Sequence, residues 1–491
     1  MQLTQRLLCP LLACVLQPAV ASVEHHFATI QSDPNALYAF FKEMPKGGEL
    51  HYHLDGGAYP ETMLSLSLNG DYCLQLKTKS IAKITPCDGI PVKELVTKQD
   101  LYDEVIQAWS MKNFVPGQES ATHHFYKSFS KYTPLMADFR PQLLADAIKR
   151  ASNQHELYLE IMVSPDNANA TTFAPLASGP IGFAAKKNAL LANKNFEANI
   201  ANTVKESQRI LEAARLELGC DTAPTQSKCL LVVKFQYYVL REQPLESFFA
   251  QALNGFAAAS LSNDIVGVNL VQAEDGILSL KDYREQMRIF KFLHQAYPNV
   301  HISLHAGELA PTDVIPSELG FHIHEAIFTG KAERIGHGVS IGYEENASLL
   351  LKHMATSPIP VEINLTSNRL LLNVFGKNHP LHYYLNNNVP VTLSTDDEGA
   401  LRTDLTREYV AAAYEHGLDY PTIKTINQNA LTYSFLPGKS LWTNPKKHLR
   451  VPECENLDSS ACQTFLDDNE KAKLQWQLEK NLKAFELNYE K

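Results

Sequence analysis

The stretch "GGELHYHLDGG", residues 47–57, reads as a buried strand that ends in two imidazoles and a carboxylate. Residues two apart on a strand point to the same side, so His51 and His53 are expected to face one side together. Apolar runs of the same kind recur along the chain, at 156–164, 230–240, 264–272, 301–308, 334–340, 360–368 and 389–397. Runs that are nearly continuous in apolar residues and bounded by polar or glycine positions are typical of strands buried on both faces.

Amphipathic stretches such as 199–218 and 280–297 alternate with these apolar runs. Strands that alternate with helices predict a parallel α/β fold, and eight strand candidates predict a (β/α)8 barrel of the TIM type. A doubly wound open sheet is the alternative, but it would need a glycine-rich turn after an early strand, and the sequence has none. Residues 66–95 are predicted to form an insertion after the first strand, and residues 439–491 a C-terminal loop and helix.

Charge limits the classes of partner. The 491 residues carry a formal net charge of -10 and contain no run rich in Lys or Arg. Nucleic acid and anionic membrane surfaces are therefore poor partners, because both attract basic patches. A small molecule is the expected substrate, and the oligomeric state is left open.

The N-terminus has the pattern of a secretory signal. One positive charge in "MQLTQR" precedes the short apolar run "LLCPLLACVL", and "PAVAS" offers a small-residue cleavage site. The apolar run is too short to span a bilayer. We therefore expect a signal peptide at residues 1–21, a single barrel domain at 22–491, and export to a periplasm or the extracellular space. Lipid attachment at Cys14 is an alternative.

The remaining six cysteines fall into three close pairs: Cys73/Cys87, Cys220/Cys229 and Cys454/Cys462. Sequence alone does not fix the connectivity. Nearest-neighbour disulfides are the simplest expectation for an exported chain, and six free thiols are the alternative.

Polar side chains gather where the predicted strands end, which is where barrel enzymes keep their active sites. His305 ends the fifth run, His337 the sixth, and Asp396 with Asp397 the eighth. Histidines with a carboxylate suit one Zn²⁺ ion with a position open for water. Capping of a following helix is the alternative role for the two aspartates.

The sequence contains a second His-x-His pair, His322 and His324 in "HIHEA". This pair begins a predicted helix, on which residues two apart do not share a face. We expect both side chains at the surface and neither at a metal.

Five ordered motifs, "MPKGGELHYHLDGG", "HAGE", "RIGHG", "STDDEG" and "NALTYSFLPG", resemble the adenosine deaminase family of metal-dependent barrel hydrolases. The resemblance covers most of residues 44–438. The secretion signal and the cysteine-bearing insertion are similar to the secreted, growth-factor-like branch of that family, although the long N-terminal dimerisation segment of that branch is not present in this sequence.

The resemblance implies one zinc ion bound by four residues: His51, His53, His305 and Asp396. It implies that Glu308 holds the purine N1 and protonates it as a general acid, which typically contributes about 10²–10⁴-fold. His337 would orient the attacking water and take up its proton. Asp397 would contact the purine N7 and the attacking oxygen, and Asp55 would hold the ribose 5′-hydroxyl.

The implied reaction is zinc-dependent deamination of adenosine, and of 2′-deoxyadenosine, to the 6-oxo purine nucleoside and ammonia. One departure concerns specificity: Gln272 stands where the family usually has a glycine whose backbone N–H meets the purine. Gln272 is therefore expected to contact the substrate. Deamination of another aminopurine (adenine, a modified nucleoside or a nucleotide) is one alternative, and an extracellular binding or growth-factor protein on the same barrel is another.

Overall fold

The computed structural model describes residues 22–447 and 449–490. The predicted signal peptide, including Cys14, lies outside the described residues. No helix within these two ranges is long and apolar enough to cross a bilayer.

The strands alternate with helices along most of the chain. In chain order the strands are β1 (Lys46–His53), β2 (Cys73–Leu74), β3 (Ile81–Ala82), β4 (Ile90–Pro91), β5 (Glu156–Val163), β6 (Val232–Leu240), β7 (Ile265–Val271), β8 (His301–Ala306), β9 (Arg334–His337), β10 (Val361–Ile363), β11 (Val391–Leu393), β12 (Trp442–Asn444) and β13 (Leu449–Arg450).

The α-helices are α1 (Val23–Ile30), α2 (Pro34–Glu43), α3 (Leu54–Gly57), α4 (Pro60–Ser67), α5 (Gln99–Ala108), α6 (Ala121–Asn153), α7 (Phe183–Leu191), α8 (Lys194–Glu217), α9 (Ser227–Leu230), α10 (Leu245–Leu261), α11 (Ile277–Ala296), α12 (His322–Phe328), α13 (Ala347–Thr356), α14 (Leu365–Leu372), α15 (Leu381–Asn386), α16 (Glu398–Leu401), α17 (Leu405–Tyr414), α18 (Tyr420–Thr432), α19 (Ser460–Asp467) and α20 (Glu470–Leu487). Short 3₁₀ turns occupy Val92–Thr97, Asn169–Ala177, Pro316–Glu318, Val339–Tyr343, Gly376–Asn378, Pro445–Lys447 and Pro452–Cys454.

Eight parallel strands form the predicted barrel, in the order β1-β5-β6-β7-β8-β9-β10-β11. The first and last strands meet just beyond β11, where the Asp396 N–H donates to the His51 carbonyl at 3.1 Å. The His53 N–H donates in turn to the Asp396 carbonyl at 2.9 Å. The backbone that closes the barrel therefore belongs to residues that the sequence predicts as metal ligands.

The last two predicted strands are much shorter than their apolar runs suggested, and the run 389–397 forms a strand only over Val391–Leu393. The run 360–368 forms a strand only over Val361–Ile363, and Leu365–Leu372 is helical. In that helix Leu365, Asn368, Leu371 and Leu372 are buried. This spacing of three and four places them on one helical face, whereas a strand would need alternation, so the helical period decides the conformation.

The insertion after β1 has a small core of its own. Strands β2, β3 and β4 form an antiparallel sheet closed by the Cys73–Cys87 disulfide. The core of the insertion packs against α6, where Trp109 contacts Tyr132 with ring centroids 5.6 Å apart. The insertion therefore supports the helix that covers the barrel mouth.

The disulfides confirm nearest-neighbour pairing, since Cys220–Cys229 and Cys454–Cys462 are also bonded. Three disulfides indicate an oxidising, non-cytoplasmic environment.

Candidate active site

The predicted polar cluster is assembled at the C-terminal ends of the barrel strands. His51 and His53 come from β1, His305 from β8 and His337 from β9, while Asp396 follows β11. All of these except His53 are almost fully buried. Side chains that are far apart in sequence meet here because parallel strands end at one rim of the barrel.

The ring and carboxylate atoms of the predicted zinc ligands lie at ligand spacing. The distances from Asp396 Oδ1 are 3.2 Å to His51 Nε2 and 3.1 Å to His53 Nε2. The His53 and His305 Nε2 atoms are 3.1 Å apart. Four ligands at about 2.0–2.1 Å around one tetrahedral ion lie about 3.3 Å from one another. These spacings suit a small divalent cation. The four ligand atoms that all lie within 4.8 Å of one another are those of His51, His305, His337 and Asp396, whereas His53 forms a second such group with Asp396 and Asp397.

Buried acceptors orient two of these imidazoles. The His51 Nδ1–H donates to Glu362 Oε2 at 2.7 Å, and the His305 Nδ1–H donates to Asn269 Oδ1 at 3.0 Å. Each bond leaves the Nε2 lone pair free to face the cluster, and the Nε2 of His51 is buried without a hydrogen-bond partner. Such bonds fix the tautomer of a metal-ligating histidine.

Glu362 is held ionised beneath the cluster. Burial would raise the pKa of this carboxyl, but Arg334 and the hydrogen bond from His51 lower it to about 2. Arg334 Nε donates to Glu362 at 2.6 Å and the same guanidinium pairs with Glu160. The negative charge under His51 raises the basicity of the imidazole.

Glu308 lies at the cavity wall on a loop that a second carboxylate holds in place. Glu274 accepts the N–H of Gly307 at 3.0 Å and that of Glu308 at 2.8 Å. It also accepts His322 Nδ1–H at 2.5 Å. Burial, followed by the nearby charge of Asp396, raises the pKa of Glu308 well above its usual range, which favours the protonated form of this carboxyl.

The expected surface position of His322 is wrong, whereas His324 is exposed as predicted. His322 is fully buried, stacks on Tyr283 with ring centroids 3.8 Å apart and donates to Glu274. Helical periodicity correctly separated the two histidines, and α12 begins at His322 as predicted. It could not reveal the buried carboxylate that His322 meets in the neighbouring βα connection after β7.

Asp55 and Tyr238 form a polar pair at the cavity. The Tyr238 hydroxyl donates to Asp55 Oδ2 at 3.1 Å, and Asp55 Oδ1 is buried without a partner. An ionised carboxylate oxygen in that situation needs a donor, and a substrate hydroxyl can supply one.

Asp397 is not a helix cap. It precedes α16, but its side chain makes no capping hydrogen bond, and its Oδ1 is buried without a partner. A Cβ at Gly56 would meet this oxygen at 1.7 Å, so glycine is required there for the carboxylate to reach the cavity. Burial, with the charge of Asp396 beside it, raises the pKa of Asp397 well above its usual range.

The cavity has a volume of about 320 Å³. Aromatic side chains of α6, Phe125, Tyr126 and Phe129, form one wall, and no Lys or Arg among the described residues lines it. Gln272 lines the opposite part of the cavity with φ +82°. Its Oε1 accepts the Glu242 N–H at 2.9 Å. Glu242 follows the neighbouring strand β6, so the backbone of that loop holds the Gln272 side chain.

Sequence reasoning missed the residues that orient the cluster: Glu160, Asn269, Glu274, Arg334 and Glu362. A usable signal existed for some of them, because Asn269 and Glu362 are polar residues within otherwise apolar strands. A buried polar group needs a partner, so its presence in a core strand points to the barrel interior. Tyr238 carried no such signal, since tyrosine is common in strands.

A family model described as adenosine deaminase matches residues 99–441. The match begins after β1, so His51, His53 and Asp55 lie outside it.

Curated relatives include deaminases of different substrates. Adenosine deaminases of Shigella flexneri and Escherichia coli are 25% identical over 394 residues, which cover 80% of this chain and 94% of theirs. An aminodeoxyfutalosine deaminase of Streptomyces coelicolor is 35% identical over 144 residues, which cover 29% of this chain and 34% of that relative.

Solved structures share the fold. An adenine deaminase from Arthrobacter aurescens has a TM-score of 0.55 at 17% identity, covering 89% of this chain and 99% of its own. Arabidopsis ADAL complexed with IMP has a TM-score of 0.53 at 18% identity, covering 91% of this chain and 99% of its own.

The family model spans the greater part of a chain whose eight-stranded barrel carries a buried cluster of three histidines and an aspartate. The chain belongs to the adenosine deaminase family of metal-dependent hydrolases.

Proposed function

We propose that this protein deaminates adenosine and 2′-deoxyadenosine hydrolytically, giving the 6-oxo purine nucleoside and ammonia. The observation that carries the proposal is the cavity itself. Glu308, a buried carboxyl whose pKa is raised well above its usual range, lies in it beside a metal-competent cluster, and Asp55 offers it a carboxylate oxygen without a partner.

We propose Zn²⁺ as the metal, held by His51, His53, His305 and Asp396. The nitrogen and oxygen ligand set and the spacing of about 3.1 Å between donor atoms support this choice. When bound there, zinc lowers the pKa of a coordinated water toward about 7 and so supplies a nucleophile at neutral pH.

Side chains of this chain supply the other elements of the reaction. Glu308 would donate its proton to the purine N1, which makes C6 a better electrophile as water adds. His337, whose Nε2 lies 3.8 Å from Glu308 Oε1 and 3.9 Å from Asp396 Oδ2, would hold the attacking water. Asp397 would contact N7 and the same water, because its partnerless oxygen faces this part of the cavity.

The charge of the cavity favours a nucleoside over a nucleotide. Asp55, Glu242, Glu308, Asp396 and Asp397 line it, and no cationic side chain among the described residues does so. A phosphate would meet carboxylates without a Lys or Arg to neutralise it, whereas a ribose hydroxyl can donate to Asp55 Oδ1.

The test compares adenosine, adenine and AMP as substrates of purified residues 22–491, before chelation, after it and after zinc is restored. We expect adenosine to be the best substrate, followed by the ultraviolet change on deamination, and activity to require zinc. Glu308→Gln should reduce kcat by about 10²–10⁴-fold without loss of zinc. The exposed Glu345→Gln is the matched control. Faster turnover of AMP or adenine, or zinc-independent activity, would contradict the proposal.

Gln272 supports a second candidate, deamination of a different aminopurine. Its side chain occupies space at the position where the family resemblance implies a glycine, and it is held there by Glu242. A zinc-loaded protein that ignores adenosine but deaminates a modified purine nucleoside would favour this alternative. If Glu308→Gln left an extracellular activity of the protein unchanged, a binding role on the same barrel would be favoured instead.

We further propose that residues 1–21 are removed on export and that residues 22–491 act as one domain. The three disulfides support an oxidising destination. N-terminal sequencing of the exported protein should begin at Ser22. A lipid-modified Cys14 at the N-terminus would contradict this.

A further inference from the structure

A row of buried hydrogen bonds leads away from the cavity and ends at His337. The Leu381 N–H donates to His379 Nδ1 at 3.1 Å. His379 Nε2 lies 3.0 Å from Asn368 Oδ1, and Asn368 Nδ2 lies 3.0 Å from His337 Nδ1. All three side chains are almost fully buried. Bulk water therefore does not compete for the hydrogen bonds of these side chains.

The direction of every bond in this row follows from its outer end. A backbone N–H can only donate, so His379 Nδ1 must accept. His379 is neutral, since burial lowers its pKa to about 3, and its single proton is therefore on Nε2. That proton is donated to Asn368 Oδ1, which turns the amide nitrogen of Asn368 toward His337. An amide nitrogen can only donate, so His337 Nδ1 must accept. On the other side of the ring, the Asn364 amide lies 3.5 Å from His337 Nε2, and Asn364 Oδ1 is buried without a partner. With the two ends of that amide exchanged, Asn364 Oδ1 accepts from His337 Nε2–H and gains the partner it lacks.

We propose that Asn368 and His379 are positioning residues that fix the proton of His337 on Nε2, the nitrogen that faces the cavity. His337 then presents an N–H to the space between Glu308 Oε1 and Asp396 Oδ2. It acts as a hydrogen-bond donor to the attacking oxygen and stabilises negative charge that develops there. The proton that the attacking water loses would then be accepted by Asp396 Oδ2, the carboxylate atom on the other side of that space, in place of His337 as the family resemblance implies. The catalytic consequence rests on the proposed function, whereas the tautomer does not.

The tautomer is measurable without substrate or metal. Full-length mature protein with ¹⁵N-labelled histidine rings would be examined by long-range ¹H–¹⁵N correlation spectra in the metal-free and zinc-loaded forms. The chain has 18 histidines, so His337→Gln serves to assign the signals of His337. We expect protonated Nε2 and unprotonated Nδ1 in both forms. A proton on Nδ1 of His337 in the unsubstituted protein would overturn the proposal.

The Asn368→Asp variant should reverse the direction of the hydrogen bond between residue 368 and His337 Nδ1. A carboxylate only accepts, so His337 Nδ1 must become a donor and its ¹⁵N signal should change accordingly. We expect kcat to fall at least about tenfold while KM stays within about twofold, because the wrong tautomer disables chemistry more than binding. Asn373→Asp is the matched control, since it makes the same change at an exposed position at the end of α14. An unchanged ¹⁵N pattern in Asn368→Asp would overturn the proposal.

His379→Phe provides a second variant of similar ring shape. It removes the donor that orients the Asn368 amide, so both tautomers of His337 should be populated. His382→Phe is the control, because His382 bonds the His416 carbonyl and not Asn368. A single Nε2–H tautomer of His337 in the His379→Phe variant would contradict the proposal that this row of hydrogen bonds sets the tautomer. If the tautomer is found as expected and adenosine is not deaminated, the proposed function is wrong, whereas the proposal that Asn368 and His379 set the tautomer of His337 is supported.

Discussion

At the scale of single residues, the cavity is defined by polar atoms that have no protein partner. Asp55 Oδ2 accepts a hydrogen bond from the hydroxyl of Tyr238, and Asp55 Oδ1 has no donor. Asp397 likewise keeps one buried oxygen without a partner. Buried polar atoms are rarely left unpaired, so these two oxygens mark where a ligand is expected to bind. Asp55 Oδ1 can accept from a hydroxyl, and Asp397, whose raised pKa favours the protonated form, can donate to a ring nitrogen such as N7.

Tyr238→Phe tests the orientation of Asp55. The change removes the hydroxyl that holds Oδ2 and leaves the ring, so Asp55 should hold a ribose hydroxyl less well. We expect kcat/KM for adenosine to fall about tenfold, mainly through KM, because one hydrogen bond to a charged group contributes about 1.5–3 kcal/mol.

Free adenine is the internal control for this variant, since it has no ribose for Asp55 to hold. Its slower turnover should be the same in both proteins. An equal loss for adenosine and adenine would place Tyr238 outside ribose recognition.

At the scale of elements, the strand-end loops are held by carboxylates from neighbouring strands. Glu274 follows β7 and binds the two N–H groups of the loop after β8, where Glu308 lies. Burial would raise the pKa of Glu274, but His322, Arg241 and the Gly307 N–H lower it to about 2. The position of Glu308, the proposed general acid, thus depends on a carboxylate in a different βα loop.

Glu274→Gln should therefore destabilise the protein in a pH-dependent way. A carboxyl whose pKa falls from 4.5 to about 2 on folding contributes roughly 3 kcal/mol above pH 5, and this is lost as pH falls toward 2. The difference in unfolding free energy between the parent and Glu274→Gln should be largest near neutrality and shrink in acid. Denaturant unfolding of the metal-free proteins measures it.

Exposed Glu345→Gln is the control for this comparison. A Glu274→Gln difference that did not change between pH 6 and pH 3 would mean that the ionised form of Glu274 is not the stabilising one.

The insertion after β1 is an element whose stability depends on its disulfide. Cys73–Cys87 closes a loop with a sequence separation of 14 residues, and such a loop is worth about 3 kcal/mol in the chain-entropy model. Replacing both cysteines with serine should weaken hydrogen-exchange protection in β2–β4 and leave the barrel strands protected. The same change at Cys220 and Cys229 is the control and should leave β2–β4 unaffected.

At the scale of the whole molecule, the metal-competent cluster joins the two edges of the sheet. His51 and His53 belong to β1, Asp396 follows β11, and the backbone hydrogen bonds between them close the barrel. A cation bound by these side chains and by His305 would connect three strands that are far apart in sequence. Ion binding and barrel stability should consequently be coupled.

Zinc should therefore raise the thermal stability of the chelated protein. An ion present at 100 times its dissociation constant stabilises the folded state by about 2.7 kcal/mol. Scanning calorimetry with increasing zinc should show a rising Tm and one bound ion per chain. His53→Ala should abolish the rise, whereas His324→Ala, at an exposed histidine, should keep it. A zinc-dependent rise that persists in His53→Ala would place the ion elsewhere.

The sequence by itself determined the parallel barrel, because strands buried on both faces leave continuous apolar runs that hydropathy can read. It also made nearest-neighbour disulfides the simplest expectation, since close spacing gave each cysteine one near partner, and the tertiary structure decided the connectivity. The gathering of His51, His53, His305, His337, Asp396 and Asp397 at one rim was foreseen from strand ends. The roles of these residues remain proposals.

Only the tertiary structure decided which groups orient that cluster. Glu274 and His379 occupy positions with no signal in the sequence, and the polar Glu362 in an apolar strand indicates only that a partner exists. The partner of each lies on another strand or helix. The burial of His322 was missed for the same reason. Periodicity reports which face of an element a residue occupies, whereas hydrogen-bond partners depend on how separate elements are brought together, and one strand's sequence does not encode its neighbour's side chains.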